Sequence, residues 1–149
     1  MKQFISEGRG ETFSLGQRLA RVVKPGDVIT FSGSMGAGKT VFITGMAQAL
    51  GCPEGVSSPT FALAHEYPTD PHIVHIDAYR LKDVREFTDA GMAEYLAGDA
   101  VCLIEWPEAG IPCLPQERLD ILIRGSGDEA RTIYMRPMGE SWMARLELL

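Results

Sequence analysis

The chain has 149 residues, of which 45% are hydrophobic and 23% charged, and its net charge is −6 at pH 7. This length and composition exclude a multidomain machine and a mostly disordered chain. The longest apolar run, residues 100–104, is far shorter than the ~18 residues of a membrane-spanning helix. The first residues carry charge and lack the apolar segment of a secretory signal. We therefore expect one domain over residues 1–149, in the cytoplasm and without membrane contact.

The acidic charge is concentrated in one segment. Residues 65–108 carry ten acidic and three basic side chains, whereas residues 1–40 carry three acidic and six basic ones. Proteins that bind nucleic acid nonspecifically neutralise its phosphates with basic side chains. The sequence therefore disfavours direct binding of DNA or RNA.

The metal-ligating residue types show no zinc pattern. The three cysteines include no Cys-x-x-Cys pair, which disfavours both a zinc knuckle and a disulfide framework. His72 and His75 are three residues apart on a predicted strand, where side chains at that spacing point to opposite faces. A histidine metal pair is therefore not expected.

The first half of the chain alternates between helix and strand signals. Apolar residues at helical spacing predict a helix over residues 12–23. The short β-rich segment Val28–Ser32 predicts a buried strand. A glycine-rich loop follows, and a second helical pattern then ends at Gly51.

The second half is predicted to contain more strands than helices. Strands are expected over residues 61–67, 72–77, 100–105, 119–124 and 130–136, the last two as a hairpin. Asp83 and Glu86 form a capping pair for a helix toward Leu96, and Ser141 is placed to cap a short final helix. These elements predict an α/β domain with a mixed parallel and antiparallel sheet flanked by helices.

The loop between the first strand and the second helix matches the Walker A pattern Gly-x-x-x-x-Gly-Lys-Thr. Its glycines let successive amide groups turn inward, and the helix N-terminus adds positive potential, so the loop can hold a polyphosphate. Lys39 would reach the β- and γ-phosphates, and the Thr40 hydroxyl would ligate Mg²⁺. The predicted nucleotide contacts in this loop are Ser34, Met35, Gly36, Ala37, Gly38, Lys39, Thr40 and Val41.

A second anchor for the metal is expected at the carboxyl end of a neighbouring strand. Asp77 and Glu105 each end a predicted strand. An acid in this position can also be a solvated loop residue or a helix cap. Which of the two is the direct ligand stays open.

ATP or ADP is the expected nucleotide. A guanine-specific switch protein uses an Asn-Lys-x-Asp motif, and this chain contains no asparagine. It also contains no Asp-x-x-Gly segment, by which such proteins sense the γ-phosphate. A small-molecule kinase remains an alternative, although no lid insertion is evident, and so does a nonhydrolysing adaptor gated by nucleotide.

Four segments in this order resemble the TsaE family of bacterial ATPases over nearly the whole chain. They are Gly33 to Thr40, Ser58-Pro59-Thr60-Phe61, His75-Ile76-Asp77-Ala78-Tyr79-Arg80-Leu81 and Ile104-Glu105-Trp106-Pro107-Glu108. The resemblance implies a slow ATPase that supports two partner proteins, TsaB and TsaD, in forming threonylcarbamoyladenosine. The modified tRNAs read codons that start with adenine, and the ATPase would meet tRNA only indirectly, through that complex.

The resemblance also implies roles for single residues. Lys39 would hold the phosphates and Thr40 and Glu105 would ligate Mg²⁺. Asp77, at the Walker B place, would bind the metal or orient water. Thr60 would act as a switch threonine near the γ-phosphate, unless Ser-Pro-Thr is only a turn.

Three further residues keep two interpretations each. Thr12 contacts the nucleotide or caps the first helix, and Trp106 lies beside the nucleotide or packs in the fold. Arg131 pairs with the nucleotide or with the hairpin acids Asp128 and Glu129.

Where the family usually has Asp-Leu after the first loop glycine, this chain has Ser34-Met35. The departure leaves phosphate binding intact and puts in doubt any role of that acid in hydrolysis or partner contact.

Overall fold

The computed structural model describes residues 1–52 and 63–149. Its strands are β1 (Lys2–Ser6), β2 (Val28–Ser32), β3 (Ala64–Tyr67), β4 (Ile73–Asp77), β5 (Val101–Glu105), β6 (Arg118–Arg124) and β7 (Arg131–Met138). Its α-helices are α1 (Arg9–Ala20), α2 (Lys39–Ala49), α3 (Val84–Asp89), α4 (Met92–Leu96) and α5 (Glu140–Leu146). A 3₁₀ helix covers Pro107–Cys113.

The seven strands form one sheet in the order β1-β7-β6-β2-β5-β4-β3. The four central strands, β6, β2, β5 and β4, run parallel. β7, β1 and β3 join them through antiparallel pairs. This architecture confirms the predicted mixed sheet. Because parallel strands end at one edge, the carboxyl ends of β2, β4 and β5 lie side by side there.

Strands β2, β4 and β5 are buried on both faces, with helices packed against each. Ile29 and Phe31 of β2 belong to the cluster that includes Phe42 of α2. Val28, from the opposite face of β2, packs in a second cluster with Phe87 of α3. A strand covered on both faces needs an apolar run rather than an alternating one, and the sequence of β2 has such a run.

Helices α1 and α2 pack closely because glycine stands at their contact. A Cβ atom on Gly16 would lie 2.2 Å from the carbonyl oxygen of Phe42, and one on Gly45 would lie 2.2 Å from the carbonyl oxygen of Phe13. Each helix thus uses a glycine to admit the backbone of the other. The contact brings the first turn of α1 close to the glycine-rich loop that precedes α2.

Two helix predictions needed correction. The first helix begins at Arg9 rather than at residue 12 and ends at Ala20. Its start was not predicted because its first turn is exposed and polar and so shows no apolar periodicity.

The Asp83 side chain accepts the N–H of Glu86 at 2.9 Å, which confirms the predicted cap. The helix that it starts does not reach Leu96, because Gly91 with φ of +83° divides it into α3 and α4.

Two features near the termini were not predicted from the sequence. The first is β1, an edge strand that pairs with β7 from the far end of the chain. Ser141 does not cap the last helix; Gly139 holds that position, and Ser141 lies inside the first turn. Of the helices formed by residues 1–52 and 63–149, none is long and apolar enough to cross a membrane.

Candidate nucleotide-binding site

A cavity of about 900 Å³ opens at the carboxyl ends of the parallel strands. It contains most of the residues that the sequence predicted for a nucleotide site: Thr12, Met35, Gly36, Ala37, Gly38, Lys39, Thr40, Val41, Asp77, Glu105, Trp106 and Arg131. Ser34 is not among the residues that line it. Thr60, the predicted switch threonine, lies outside the described residues.

The glycine-rich loop joins β2 to α2 along the floor of the cavity. Gly33 has φ of +144°, and a Cβ atom there would lie 2.4 Å from the carbonyl oxygen of Ile123 in β6. Only glycine satisfies both conditions. Gly38 has φ of +110° and is the N-cap of α2, so Lys39 is the first residue of that helix. The loop therefore presents the amino end of α2 to the cavity, an arrangement that favours anions.

Lys39 is almost fully buried at the floor of the cavity, with 5% of its surface exposed. Its Nζ atom donates a hydrogen bond to the carbonyl oxygen of Gly33 at 2.6 Å. The same atom lies 3.6 Å from the centre of the Trp106 ring, which is a cation–π contact. Burial lowers the pKa of this amine, and the nearby carboxylates of Glu105 and Asp77 act against that shift.

Trp106 follows β5 directly and adopts φ of +56°, in the left-handed region. This conformation ends the strand and begins the 3₁₀ helix. The half-buried indole lines the cavity and packs edge-on against Tyr79, with 5.0 Å between ring centres. The two interpretations of Trp106, packing in the fold and facing the site, are therefore compatible.

Asp77 and Glu105 are paired neighbours at the ends of β4 and β5. The carboxylate of Asp77 accepts the N–H of Tyr79 at 3.0 Å. Burial is the main cause that raises the pKa of Asp77, and the nearby Glu105 adds to it. Glu105 is 3% exposed. The expectation that the two strand ends lie side by side at one edge of the sheet is confirmed.

His75 is a residue of this site that the sequence analysis missed. It is fully buried, and its Nε2 atom lies 2.6 Å from Oε2 of Glu105. Its ring stacks on that of Tyr67 at 6.2 Å between centres. A signal was available, because the spacing His-x-Asp on a strand puts His75 on the same face as Asp77.

His72 contributes nothing to this cluster. Its side chain is 44% exposed and lies 3.0 Å from Glu66. His72 and His75 thus have separate partners, and His72 lies just before β4 rather than within the predicted strand. The described residues contain no group of three or more His, Cys, Asp and Glu side chains arranged to hold a metal ion.

Thr12 lies in the first turn of α1 and does not cap it, because the N-cap is Gly8. The capping interpretation of Thr12 is therefore wrong. Its hydroxyl lies 2.7 Å from that of Ser6, which donates to the carbonyl oxygen of Gly8 at 2.8 Å. Thr12 is 2% exposed and lines the cavity. These bonds fix the entry of α1 beside the glycine-rich loop.

Arg131 connects the glycine-rich loop to the β6–β7 hairpin. Its guanidinium donates to the carbonyl oxygens of Ala37 at 3.0 Å and Gly36 at 3.3 Å. It also donates to the carbonyl oxygens of Gly127, at 3.0 Å, and Glu129. Main-chain carbonyls of the hairpin, rather than its carboxylates, are therefore the partners. Four of the five N–H groups of an arginine are engaged in this way.

Two groups of residues line the cavity without having been predicted to do so. One is the segment before and at the start of α1, Glu7, Gly8 and Arg9; the other is the hairpin turn, Gly127, Asp128 and Glu129. Both reach the cavity through packing between distant parts of the chain, and no local pattern marks such an approach.

Comparison with known proteins identifies the family. The model of the family described as "Threonylcarbamoyl adenosine biosynthesis protein TsaE" matches residues 6–133. The chain belongs to the TsaE family. A TsaE protein of Bacillus subtilis is 42% identical over 133 residues, covering 89% of this chain and 83% of the relative. A TsaE protein of Streptomyces coelicolor is 37% identical over 136 residues, covering 86% and 91% respectively.

A solved structure agrees with this assignment. The crystal structure of YdiB from Bacillus subtilis superimposes with a TM-score of 0.81 at 34% sequence identity. The match covers 98% of this chain and 91% of that one. The resemblance to the TsaE family and the predicted fold class are both confirmed.

Proposed function

We propose that this TsaE family member is a Mg²⁺-dependent ATPase that supports the formation of threonylcarbamoyladenosine in tRNA. One observation carries the proposal: Lys39, at the amino end of α2, shares a cavity of about 900 Å³ with the carboxylates of Asp77 and Glu105. A cationic floor and two acids at strand ends are the parts that phosphoryl transfer needs.

The glycine-rich loop would bind the phosphates of ATP. Its amides and the amino end of α2 favour anions, and Lys39 adds a charge that can follow the γ-phosphate. In the structure Lys39 donates to the main chain of Gly33, so its ammonium group is already directed along the loop. Arg131 braces the carbonyl oxygens of Gly36 and Ala37 from outside. We assign it to shaping the loop more than to touching the nucleotide.

The donor set fits magnesium. Mg²⁺ prefers oxygen ligands and is held in nucleotide sites by one or two carboxylates, a hydroxyl and the phosphates. Asp77, Glu105 and Thr40 supply oxygens of these kinds at the same cavity. When bound, the ion would offset the negative charge of the phosphates.

Hydrolysis needs little beyond positioning and charge stabilisation. The oxygen of a water molecule forms a bond to the γ-phosphorus while the bond from that phosphorus to the bridging oxygen breaks. The products are ADP and inorganic phosphate. One hydrogen of the water stays on the oxygen that bonds to phosphorus, and the other leaves as a proton to a phosphate oxygen or to solvent. Glu105 or Asp77 would orient the water, with Lys39 stabilising charge on the transferred group. Thr60 keeps the switch role implied by the family resemblance.

The pathway role rests on the family and on the charge of the chain. The relatives in Bacillus subtilis and Streptomyces coelicolor are named as tRNA threonylcarbamoyladenosine biosynthesis proteins. The net charge of −6 disfavours a direct grip on tRNA. We therefore propose that TsaB and TsaD contact this protein, that they hold the tRNA, and that turnover is slow without them.

The decisive experiment measures ATP hydrolysis by the purified chain alone and then with TsaB, TsaD and tRNA. We expect slow turnover that the partners increase. The variant Glu105→Ala should lose Mg²⁺-dependent turnover while its metal-free nucleotide affinity changes little. Equal loss of both would contradict the metal role of Glu105. Phosphate transfer to a metabolite without partners would instead identify a kinase, and binding without any ADP formation would identify an adaptor.

A further inference from the structure

His75 lies one step deeper on its strand than the two acids at the strand ends, Asp77 and Glu105, and it forms a buried pair with Glu105. The histidine and glutamate side chains are 0% and 4% exposed, and Nε2 lies 2.6 Å from Oε2. Because a carboxylate only accepts hydrogen bonds, Nε2 carries the hydrogen and donates it. One of the two oxygens of Glu105 is thus committed to His75.

The sheet register explains why the two side chains meet. Asp77 pairs with Glu105, and His75 pairs with Leu103, two residues earlier on each strand. Residues two apart share one face of a strand, so His75 lies one step deeper than the facing acids. From that depth its ring reaches the carboxylate of Glu105 from the core side, opposite the cavity mouth.

The residues packed around His75 hold its ring so that the Nε2–H points at the carboxylate of Glu105. Stacking on Tyr67 at 6.2 Å, with 30° between the planes, limits rotation of the ring. Among residues 1–52 and 63–149, no hydrogen-bond partner approaches Nδ1, which is buried. A buried nitrogen without a partner costs stability, and an apolar side chain would avoid that cost. The bond to Glu105 is the interaction that an apolar side chain would not supply.

We propose that His75 is the positioning residue for Glu105: its N–H fixes one carboxylate oxygen and so sets the direction in which the other meets Mg²⁺ and nucleotide. This inference rests on the proposed ATPase function. Groups that orient a metal ligand in this way typically affect metal affinity or activity by about 10- to 100-fold.

Three substitutions separate positioning from packing. His75→Gln keeps an N–H donor of similar reach, whereas His75→Phe keeps a flat ring to stack on Tyr67 and has no donor. His75→Asn is polar but too short to reach Glu105, and it serves if the phenylalanine variant does not fold. The matched control is His72→Gln, since His72 is exposed just before the same strand.

The first readout is the affinity for a fluorescent ATP analogue in EDTA and in Mg²⁺, and the second is the division of any activity loss between kcat and KM. In His75→Phe and His75→Asn we expect the gain in affinity from Mg²⁺ and the kcat to fall by about 10- to 100-fold. Metal-free affinity should stay within about twofold, and His75→Gln should recover most of the loss. Far-UV circular dichroism checks that each variant is folded.

Several results would overturn the positioning role. In the first, His75→Phe or His75→Asn keeps both the gain in nucleotide affinity from Mg²⁺ and the wild-type kcat. In the second, the metal-free nucleotide affinity falls in parallel with the affinity in Mg²⁺. In the third, His75→Gln is folded but is as impaired as His75→Phe. Failure of the proposed function is a different result: wild-type protein that neither binds the analogue nor hydrolyses ATP. A wild type that binds the analogue equally well with and without Mg²⁺ would refute the positioning role while leaving nucleotide binding in place.

Discussion

The ammonium group of Lys39 rests on the face of the Trp106 indole, 3.6 Å from the ring centre. The same Nζ atom donates to the carbonyl oxygen of Gly33. A phosphate group that binds in the loop competes with both contacts, because it carries a full negative charge whereas the carbonyl oxygen and the indole ring are neutral. Lys39 therefore couples the occupancy of the loop to the environment of Trp106.

This coupling predicts a fluorescence signal. The chain has two tryptophans, and Trp142 is buried in the core. Adding ATP with Mg²⁺ should change the emission of wild-type protein and of Trp142→Phe, and should leave that of Trp106→Phe unchanged. A full response in Trp106→Phe would show that Lys39 and Trp106 stay together when nucleotide binds.

Removing the lysine itself should abolish tight binding. Lys39→Ala should weaken ATP affinity by about 100-fold, since hydrogen bonds to charged groups contribute about 1.5 to 3 kcal/mol each. Titration calorimetry measures the affinity, and Lys24→Ala, an exposed lysine, is the control. Unchanged binding and turnover in Lys39→Ala would refute the phosphate loop.

Arg131 is expected to act through the shape of the loop. Arg131→Ala should weaken nucleotide binding by about tenfold, the equivalent of about 1.4 kcal/mol. Arg131→Lys should not restore it, because a single ammonium cannot bond four carbonyl oxygens on two segments. Arg136→Ala, an exposed arginine on the same strand, is the matched control in the same calorimetric titration. Full recovery in Arg131→Lys would point instead to a simple charge contact with phosphate.

The buried carboxylate of Asp77 should lower the stability of the fold, although the proposed Mg²⁺-dependent turnover needs it. Burial raises its pKa, so the folded chain holds the Asp77 proton more readily than the unfolded chain does. Between the unfolded and the folded pKa, stability falls as pH rises, and at neutral pH the ionised group destabilises the fold. Asp77→Asn should therefore melt at a higher temperature at pH 7.5, with a smaller gain at pH 5, while Mg²⁺-dependent turnover falls. Asp89→Asn, 73% exposed, should change neither; a lower melting temperature for Asp77→Asn would contradict the burial cost.

The contact between α1 and α2 gives a stability test with an internal control. Gly16→Ala would place a methyl group 2.2 Å from the carbonyl oxygen of Phe42. Overpacking of this kind costs about 1 to 3 kcal/mol or more, and we expect a lower melting temperature. Gly10→Ala lies on the same helix with no atom within 4 Å of the new Cβ, so it should stabilise the protein by about 0.5 to 1 kcal/mol. Equal thermal shifts in the two variants would show that the helices can separate without loss.

Features whose signal is local to the chain were predicted well from the sequence. The place of the loop from Gly33 to Thr40, between a strand and a helix, was predictable because its pattern consists of residues adjacent in the chain. The meeting of Asp77 with Glu105 was predictable because parallel strands end at a common edge. The break at Gly91 was missed because apolar residues continue the helical pattern across it.

Long-range contacts account for what the sequence left out. Strand β1 depends on pairing with β7, near the other end of the chain. The bonds of Arg131 to Gly36 and Ala37 join two loops that share no local pattern. His75 was weighed only as a metal partner of His72, because nothing local to its strand shows that a second strand brings Glu105 to it.

The bridge made by Arg131 gives the β6–β7 hairpin a mechanical role. The turn at Gly127 and the glycine-rich loop at Gly36 both bond to the rigid guanidinium of Arg131. The backbone of Gly33 lies against Ile123 of β6 with no room for a side chain. Because Arg131 bonds to both segments, a movement of the turn would also move the carbonyl groups of the loop, and a movement of the loop would move the turn. The shape of the glycine-rich loop thus depends on an exposed turn from a distant part of the chain.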